Sequence, residues 1–316
     1  MTSVDSTESS VLKLRLEATR LRHGLMADNT LMGYRYDARM YSAWCEHFHR
    51  EALPTSPETL SLYVTDLLSQ GKKITTARRR TCAVAYNHRC HGLASPVTTE
   101  VQEVLNGAQR IRAEKPRQMR PLTVKQLRQI SAQLARVGTP RSMRNRALLV
   151  VGFASALRRS NLGDLNLADV EFVRQGVILH INREKQDQEG RGRSIGLPWG
   201  RHPNTCPVRV LRAWLRIRGK EPGPLFPRLN PARKGQALNG ECICRIVKQA
   251  ARGIGLDPTD IGGHSLRAGF ITAAGEAGAG ELLIASQSGH RNMEILRRYF
   301  RRTNLFRSNA CAMVVL

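Results

Sequence analysis

His264-Ser265-Leu266-Arg267, then Gly289-His290, then Arg298-Tyr299 stand in that order near the end of the chain, and how this stretch is read decides the rest. His264 and Arg267 lie three apart, on one face of a helix that begins after Gly262-Gly263. Helical spacing runs over 265–277, 280–288 and 292–302, so these side chains ride on or between short helices. Together they offer a hydroxyl nucleophile, proton-transfer groups and a fixed cation, the parts needed to attack a phosphodiester. Taken singly, each has an ordinary reading: a helix N-terminus with a surface arginine, or a tyrosine at the rim of a core.

Composition names the counter-surface. The 316 residues carry a formal charge of +25, with 50 Lys and Arg against 25 Asp and Glu, which points to a polyanion. Most of the cations are arginines, whose planar fork grips phosphate where lysine presents a point charge. Seven irregularly spaced cysteines without a CxxC pair read as reduced, mostly buried thiols. His88, Cys90 and His91 have no second ligand pair at a zinc-site spacing. Met1 to Ser10 is polar and acidic, unlike a signal peptide, and no apolar run reaches membrane-spanning length. A soluble, cytoplasmic protein is the expectation.

The pattern predicts an N-terminal arm over 1–26, with a short amphipathic helix from Val11 to Met26, and then a helical bundle over 27–111. Its helices fall at Thr30 to His49, from Ser56-Pro57 through Leu68, at Thr75 to Arg89, and at Thr99 to Ile111; Ser56 is an N-cap with proline at the first helical position. Arg78-Arg79-Arg80, beside Thr75, Thr76 and Thr81, suits phosphate contacts or a solvated face. Residues 112–121, charged and broken by Pro116 and Pro121, read as a linker. Ten extended residues reach about 30 Å, enough for two basic domains to hold a duplex between them.

The second domain, 122–316, opens with Thr123 and Gln126 in a capping-box pattern, followed by a helix from Ser142 to Ser155. Short strands are expected at Val170–Val173, Val177–Asn182 and Ser194–Leu197, with turns at Gln175-Gly176 and Glu189-Gly190. Helices return near 207–218 and 240–253. The fold class is therefore mainly α with a small antiparallel β-sheet.

Leu157-Arg158-Arg159-Ser160-Asn161-Leu162, read as closing a helix and opening a turn, adds an arginine pair. This pattern, with Lys185, His264-Ser265-Leu266-Arg267, Gly289-His290 and Arg298-Tyr299 in order, resembles the tyrosine recombinase (phage integrase) family. Asn161 stands where that family usually has an acidic residue. The resemblance spans the whole second domain, and the helical first domain is similar to the family's core-binding domain.

The resemblance implies a residue-by-residue assignment. Tyr299 would attack one strand to leave a 3′-phosphotyrosyl link, which stores the bond energy so that rejoining needs no ATP. His264 resembles the assisting acid–base histidine, and His290 the position whose imidazole hydrogen-bonds the phosphate. The catalytic arginine directly follows the leucine, which selects Arg158 over Arg159 to clamp the phosphate together with Arg267. Lys185, in the turn between two strands, resembles the general acid that protonates the 5′ leaving oxygen.

The partner implied is double-stranded DNA, engaged by several protomers, a tetramer, on paired sites. Neither a P-loop nor a two-metal carboxylate cluster is present, so no cofactor and no metal is expected. Two rivals remain: a type IB topoisomerase-like nicking-closing enzyme with the same chemistry, and a non-catalytic architectural DNA-binding protein. The apolar end, Ala310 to Leu316, should bury itself against its own domain or on a neighbouring protomer.

Overall fold

The computed structural model describes Met26 and residues 28–113, 119–182 and 192–300. The fold is mainly helical with one small antiparallel sheet, and the chain divides into two compact units, Met1–Arg117 and Gln118–Leu316. The expected helix from Val11, up to its last residue Met26, and the tail from Ala310 lie outside the described residues.

In the first unit, helices α1 (Asp28–His47), α2 (Pro57–Ser69), α3 (Ile74–Cys90) and α4 (Thr99–Arg112) pack around Tyr41, Leu60, Tyr63, Val64, Val84 and Leu105. The Ser56 side chain accepts from the Thr59 N–H at 3.1 Å, with Pro57 opening α2, so the capping signal acts where the sequence put it. Within the arginine run, Arg79 is exposed and Arg80 turns inward. Arg78 donates to Asn106 at 2.9 Å and Arg79 to Asp37 at 3.0 Å, while Arg80 donates to the Tyr63 hydroxyl at 2.9 Å. Asp37 is fully buried and the Arg80 side chain only 12% exposed, so Arg80 belongs to the interior of the bundle and not to a solvated face.

His88 is buried as well: its Nδ1 faces the Val84 carbonyl at 2.9 Å and its Nε2 accepts from the Thr55 N–H at 2.9 Å. It is a hydrogen-bonded core histidine, with Cys90 and His91 exposed beyond it. The thiols also depart from expectation: of the described cysteines only Cys45 and Cys206 are buried.

The second unit begins with α5 (Val124–Val137) and α6 (Pro140–Ala154). Both capping-box bonds form, Gln126 N–H to Thr123 at 3.2 Å and Thr123 N–H to Gln126 at 2.9 Å. Helix α6 starts two residues earlier than expected, because Thr139 caps the Ser142 N–H and Pro140 takes the first turn. Its Leu148, Leu149, Val150 and Val151 are all buried, each worth about 1.5–3 kcal/mol once out of water.

Strands β1 (Val170–Val173), β2 (Gly176–Ile181) and β3 (Arg193–Pro198) form an antiparallel sheet in that order, with Val173 opposite Gly176 and Ile181 opposite Arg193. Leu179, Ile195 and Leu197 point from the sheet into the core. Helices α7 (Arg159–Asp164), α8 (Pro207–Arg218), α9 (Gly240–Gly253), α10 (His264–Glu276), α11 (Glu281–Ser288) and α12 (Met293–Phe300) complete the described unit. Among the described residues no helix is long and apolar enough to cross a membrane.

Candidate active site

Helix α10 carries two of the expected site residues and is seated by backbone approach. A Cβ on Gly269 would stand 2.1 Å from the Leu122 carbonyl oxygen, so only glycine lets the helix lie this close. The Leu122 N–H donates to the Ser265 carbonyl at 3.0 Å, and Leu266 enters the core. This seating turns Arg267 inward, where it is 1% exposed.

Arg267 is held by neutral acceptors from distant elements. Nη1 donates to the Ala156 carbonyl at 2.8 Å and also to the Ser288 carbonyl; Nη2 lies 3.0 Å from Nε2 and 3.2 Å from Nδ1 of His290. The Ala156 acceptor depends on an uncommon backbone: φ is +51° there, a left-handed value that costs a non-glycine residue energy. That turn separates α6 from α7. The sequence reading had Arg158 closing a helix; in the structure α6 ends at Ala154, and Arg158, in extended backbone, is the N-cap of α7.

The positive charge of Arg158 adds to the lowering of the His264 and His290 pKa values by burial and opposes the raising of that of Tyr299 by burial, whereas that of Arg159 acts on His264. The side chain of Arg159 instead lies against Gly240 and Gly263. Of the two adjacent arginines, Arg158 is the one centred on the cluster.

His264 begins α10, and its Nε2 lies 2.5 Å from the Tyr299 hydroxyl. Tyr299 is presented by α12, which Asn292 caps by accepting from the Glu294 N–H at 2.8 Å; Ile271, Ile284 and Leu296 form the small core beside it. The His264 residue keeps a solvent-exposed edge, yet packing at its ring and the guanidiniums of Arg267, Arg158 and Arg159 hold its pKa below 6.5. Burial pushes the Tyr299 phenol above 10, and Arg267 and Arg158 pull the other way. At neutral pH a neutral imidazole therefore faces a neutral phenol.

His290 follows the turn at Gly289, whose φ of +68° ends α11 in the left-handed conformation. Its ring centroid is 6.1 Å from that of Tyr299. Burial first, then Arg267, Arg158, His264 and Arg193, push its pKa down to about 4. Two neighbours escaped the sequence reading. The Ser288 hydroxyl lies 2.7 Å from His290 Nδ1, and Arg193, at the start of β3, donates to the Ser286 and Gln287 carbonyls at 3.0 Å each. Arg193 thereby ties the sheet to the C-terminus of α11, where a cation suits the helix dipole. The position of Ser288 two residues before His290 was the only local hint of it.

The structure thus brings Arg158, His264, Arg267, His290 and Tyr299 together. Lys185 falls in the β2–β3 connection, outside the described residues. Among the described residues no three His, Cys, Asp or Glu side chains are grouped to hold a metal ion.

Comparison with known proteins finds relatives over nearly the whole chain. The model of the Phage integrase family matches residues 120–304. An "Integrase/recombinase xerD homolog" of Selenomonas ruminantium is 34% identical over 305 residues, covering 94% of this chain and 89% of that protein. The "Tyrosine recombinase XerD" of Yersinia pestis is 24% identical and covers 92% of each. In fold, the chain is similar to the Tn1549 transposon integrase solved in complex with transposon right end DNA, with a TM-score of 0.62 at 17% identity, covering 93% of this chain and 98% of that one.

Proposed function

The chain belongs to the phage integrase family of tyrosine recombinases, and from that membership we propose that it is a site-specific DNA recombinase working through a 3′-phosphotyrosyl link on Tyr299. The observation that carries this reading is the 2.5 Å approach of His264 Nε2 to the Tyr299 hydroxyl beside Arg158 and Arg267. A phenol is a poor nucleophile at neutral pH unless a base takes its proton. His264, uncharged at that pH, has a lone pair to receive it.

In the proposed step the phenol proton passes to His264 as the tyrosine oxygen bonds to phosphorus. The bond to the 5′ oxygen breaks, and that oxygen leaves with a proton from Lys185. Arg158 and Arg267 stabilise the charge that builds on the non-bridging oxygens, with His290 at the same phosphate. The link retains the energy of the broken ester, so a 5′ hydroxyl from a second duplex reverses the step and no nucleotide is consumed. The helical first unit serves as the core-binding domain, and the excess of cations suits a duplex as partner. Exchange between two duplexes calls for a homotetramer on paired sites.

The test is a suicide DNA substrate whose cut strand diffuses away, so that a covalent protein–DNA band accumulates. Absence of that band with the wild-type chain on its own site would sink the proposal and favour an architectural role. One-site and two-site plasmids then separate recombination from simple nicking and closing.

A further inference from the structure

Ser288 is fully buried at the last position of α11, and its hydroxyl makes two short contacts. It donates its single proton to the Ile284 carbonyl at 2.6 Å, one helical turn back. The second contact, 2.7 Å to His290 Nδ1, must then run the other way, because a hydroxyl has one proton to give. We infer that Ser288 fixes His290 as the Nδ1–H tautomer, with the ring's one lone pair on Nε2, so that Ser288 is a positioning residue for the imidazole that lies against Arg267, the arginine that faces the scissile phosphate. The importance of the arginine rests on the function proposed above; the tautomer does not.

The groups facing the ring agree with this assignment. They are Ser288 from α11, His264 and Arg267 from α10, Arg158 ahead of α7, Arg193 from β3 and Tyr299 from α12. Three of them are guanidiniums, which oppose a second proton on the imidazole and favour a bare nitrogen turned toward them. His88 in the first unit shows the same division of labour: its Nε2 accepts from the Thr55 N–H, so its Nδ1 carries the proton toward the Val84 carbonyl. Arg267 Nη2, at 3.0 and 3.2 Å from the two ring nitrogens, lies over the ring of His290 and not along the Nε2 lone pair, so the imidazole acts first by packing against the guanidinium.

The deciding measurement is a two-bond proton–nitrogen correlation spectrum of the 15N-labelled full chain at neutral pH. The His290 signal is identified by its absence in His290→Gln. The expected spectrum has the proton on Nδ1 and a bare Nε2; a proton on Nε2 overturns the inference at once, with no variant needed. Ser288→Ala removes the hydroxyl but keeps the carbonyl that takes Arg267 Nη1. It should mix the two tautomers and slow strand cleavage by about tenfold, the effect of one lost hydrogen bond, with DNA affinity kept. Slower cleavage with an unchanged tautomer would reduce Ser288 to a packing role, and a changed tautomer with an unchanged rate would remove its positioning role. If the wild-type chain cleaves nothing, the functional proposal fails while the spectrum still decides the tautomer.

Discussion

In the first unit Arg80 donates to the Tyr63 hydroxyl and lies 3.8 Å from the buried carboxylate of Asp37, whereas in the second Arg267 is held by carbonyl oxygens and an imidazole. Both arginines are largely or wholly buried, and the difference lies in what faces them. A carboxylate cancels a guanidinium's charge, and the cost shows on the acid: burial raises the pKa of Asp37, although Arg79 and Arg80 oppose the shift. The acceptors at Arg267 are two carbonyls and an imidazole, and its charge acts on the groups around it. That charge is felt at His264, His290 and Tyr299. An arginine in the first arrangement holds a bundle together; one in the second is ready for an anion.

The sharpest way to break this contrast is at the nucleophile the charge surrounds. Tyr299→Phe should abolish the covalent band entirely while DNA affinity stays near wild type, since only the attacking oxygen is lost. An adduct from this variant would show that another residue attacks. Arg267→Ala and Arg158→Ala should each lower cleavage by roughly 10² or more, measured as single-turnover rates on the suicide substrate. Arg80→Ala should leave the rate per bound complex unchanged, and a comparable loss there would erase the distinction.

Lys185→Ala should be slow on ordinary DNA and substantially restored when sulfur replaces the 5′ bridging oxygen, because the thiolate leaves without a proton. Equal impairment on both substrates would take Lys185 out of the acid role.

On the structural side of the contrast, Asp37→Ala should cost about 1–3 kcal/mol of stability, read as a lower denaturant midpoint, because the cations of Arg79 and Arg80 are left facing no carboxylate. Asp37→Asn should cost less, since the site already disfavours the charged carboxylate. The smallest effect is on the pH profile. His264 must be unprotonated to act as base and its pKa lies below 6.5, so cleavage should fall only as pH drops below that value and stay level above it. A midpoint above 6.5 for that acidic limb would mean that DNA-bound His264 is governed by something other than the three arginines.

The elements that were legible in the sequence are those with short-range signals. Ser56-Pro57 and the Thr123–Gln126 box cap their helices as read, because a cap is settled within four residues of chain. The change of period placed the three strands to within a residue or so, and β2 and β3 show the cause by burying alternate residues. Thr139-Pro140 carried a start signal of the same kind that the reading placed two residues late.

By itself the sequence supplied the order and kinds of the proposed reacting groups, Arg158, Lys185, His264, Arg267, His290 and Tyr299, which follow the family's order of motifs. The tertiary structure decided what those groups face. That Arg158 and not Arg159 is centred on the cluster follows from the turn at Ala156, and that Arg80 points inward follows from Asp37 on another helix. That Ser288 meets His290 follows from a left-handed turn, and that Arg193 meets α11 follows from the path of a strand. The reason is physical. Capping and periodicity are energies between neighbours along the chain, whereas the direction of a buried guanidinium is set by acceptors that can lie more than a hundred residues away, as Ala156 does from Arg267, and these exist only once the backbone has folded.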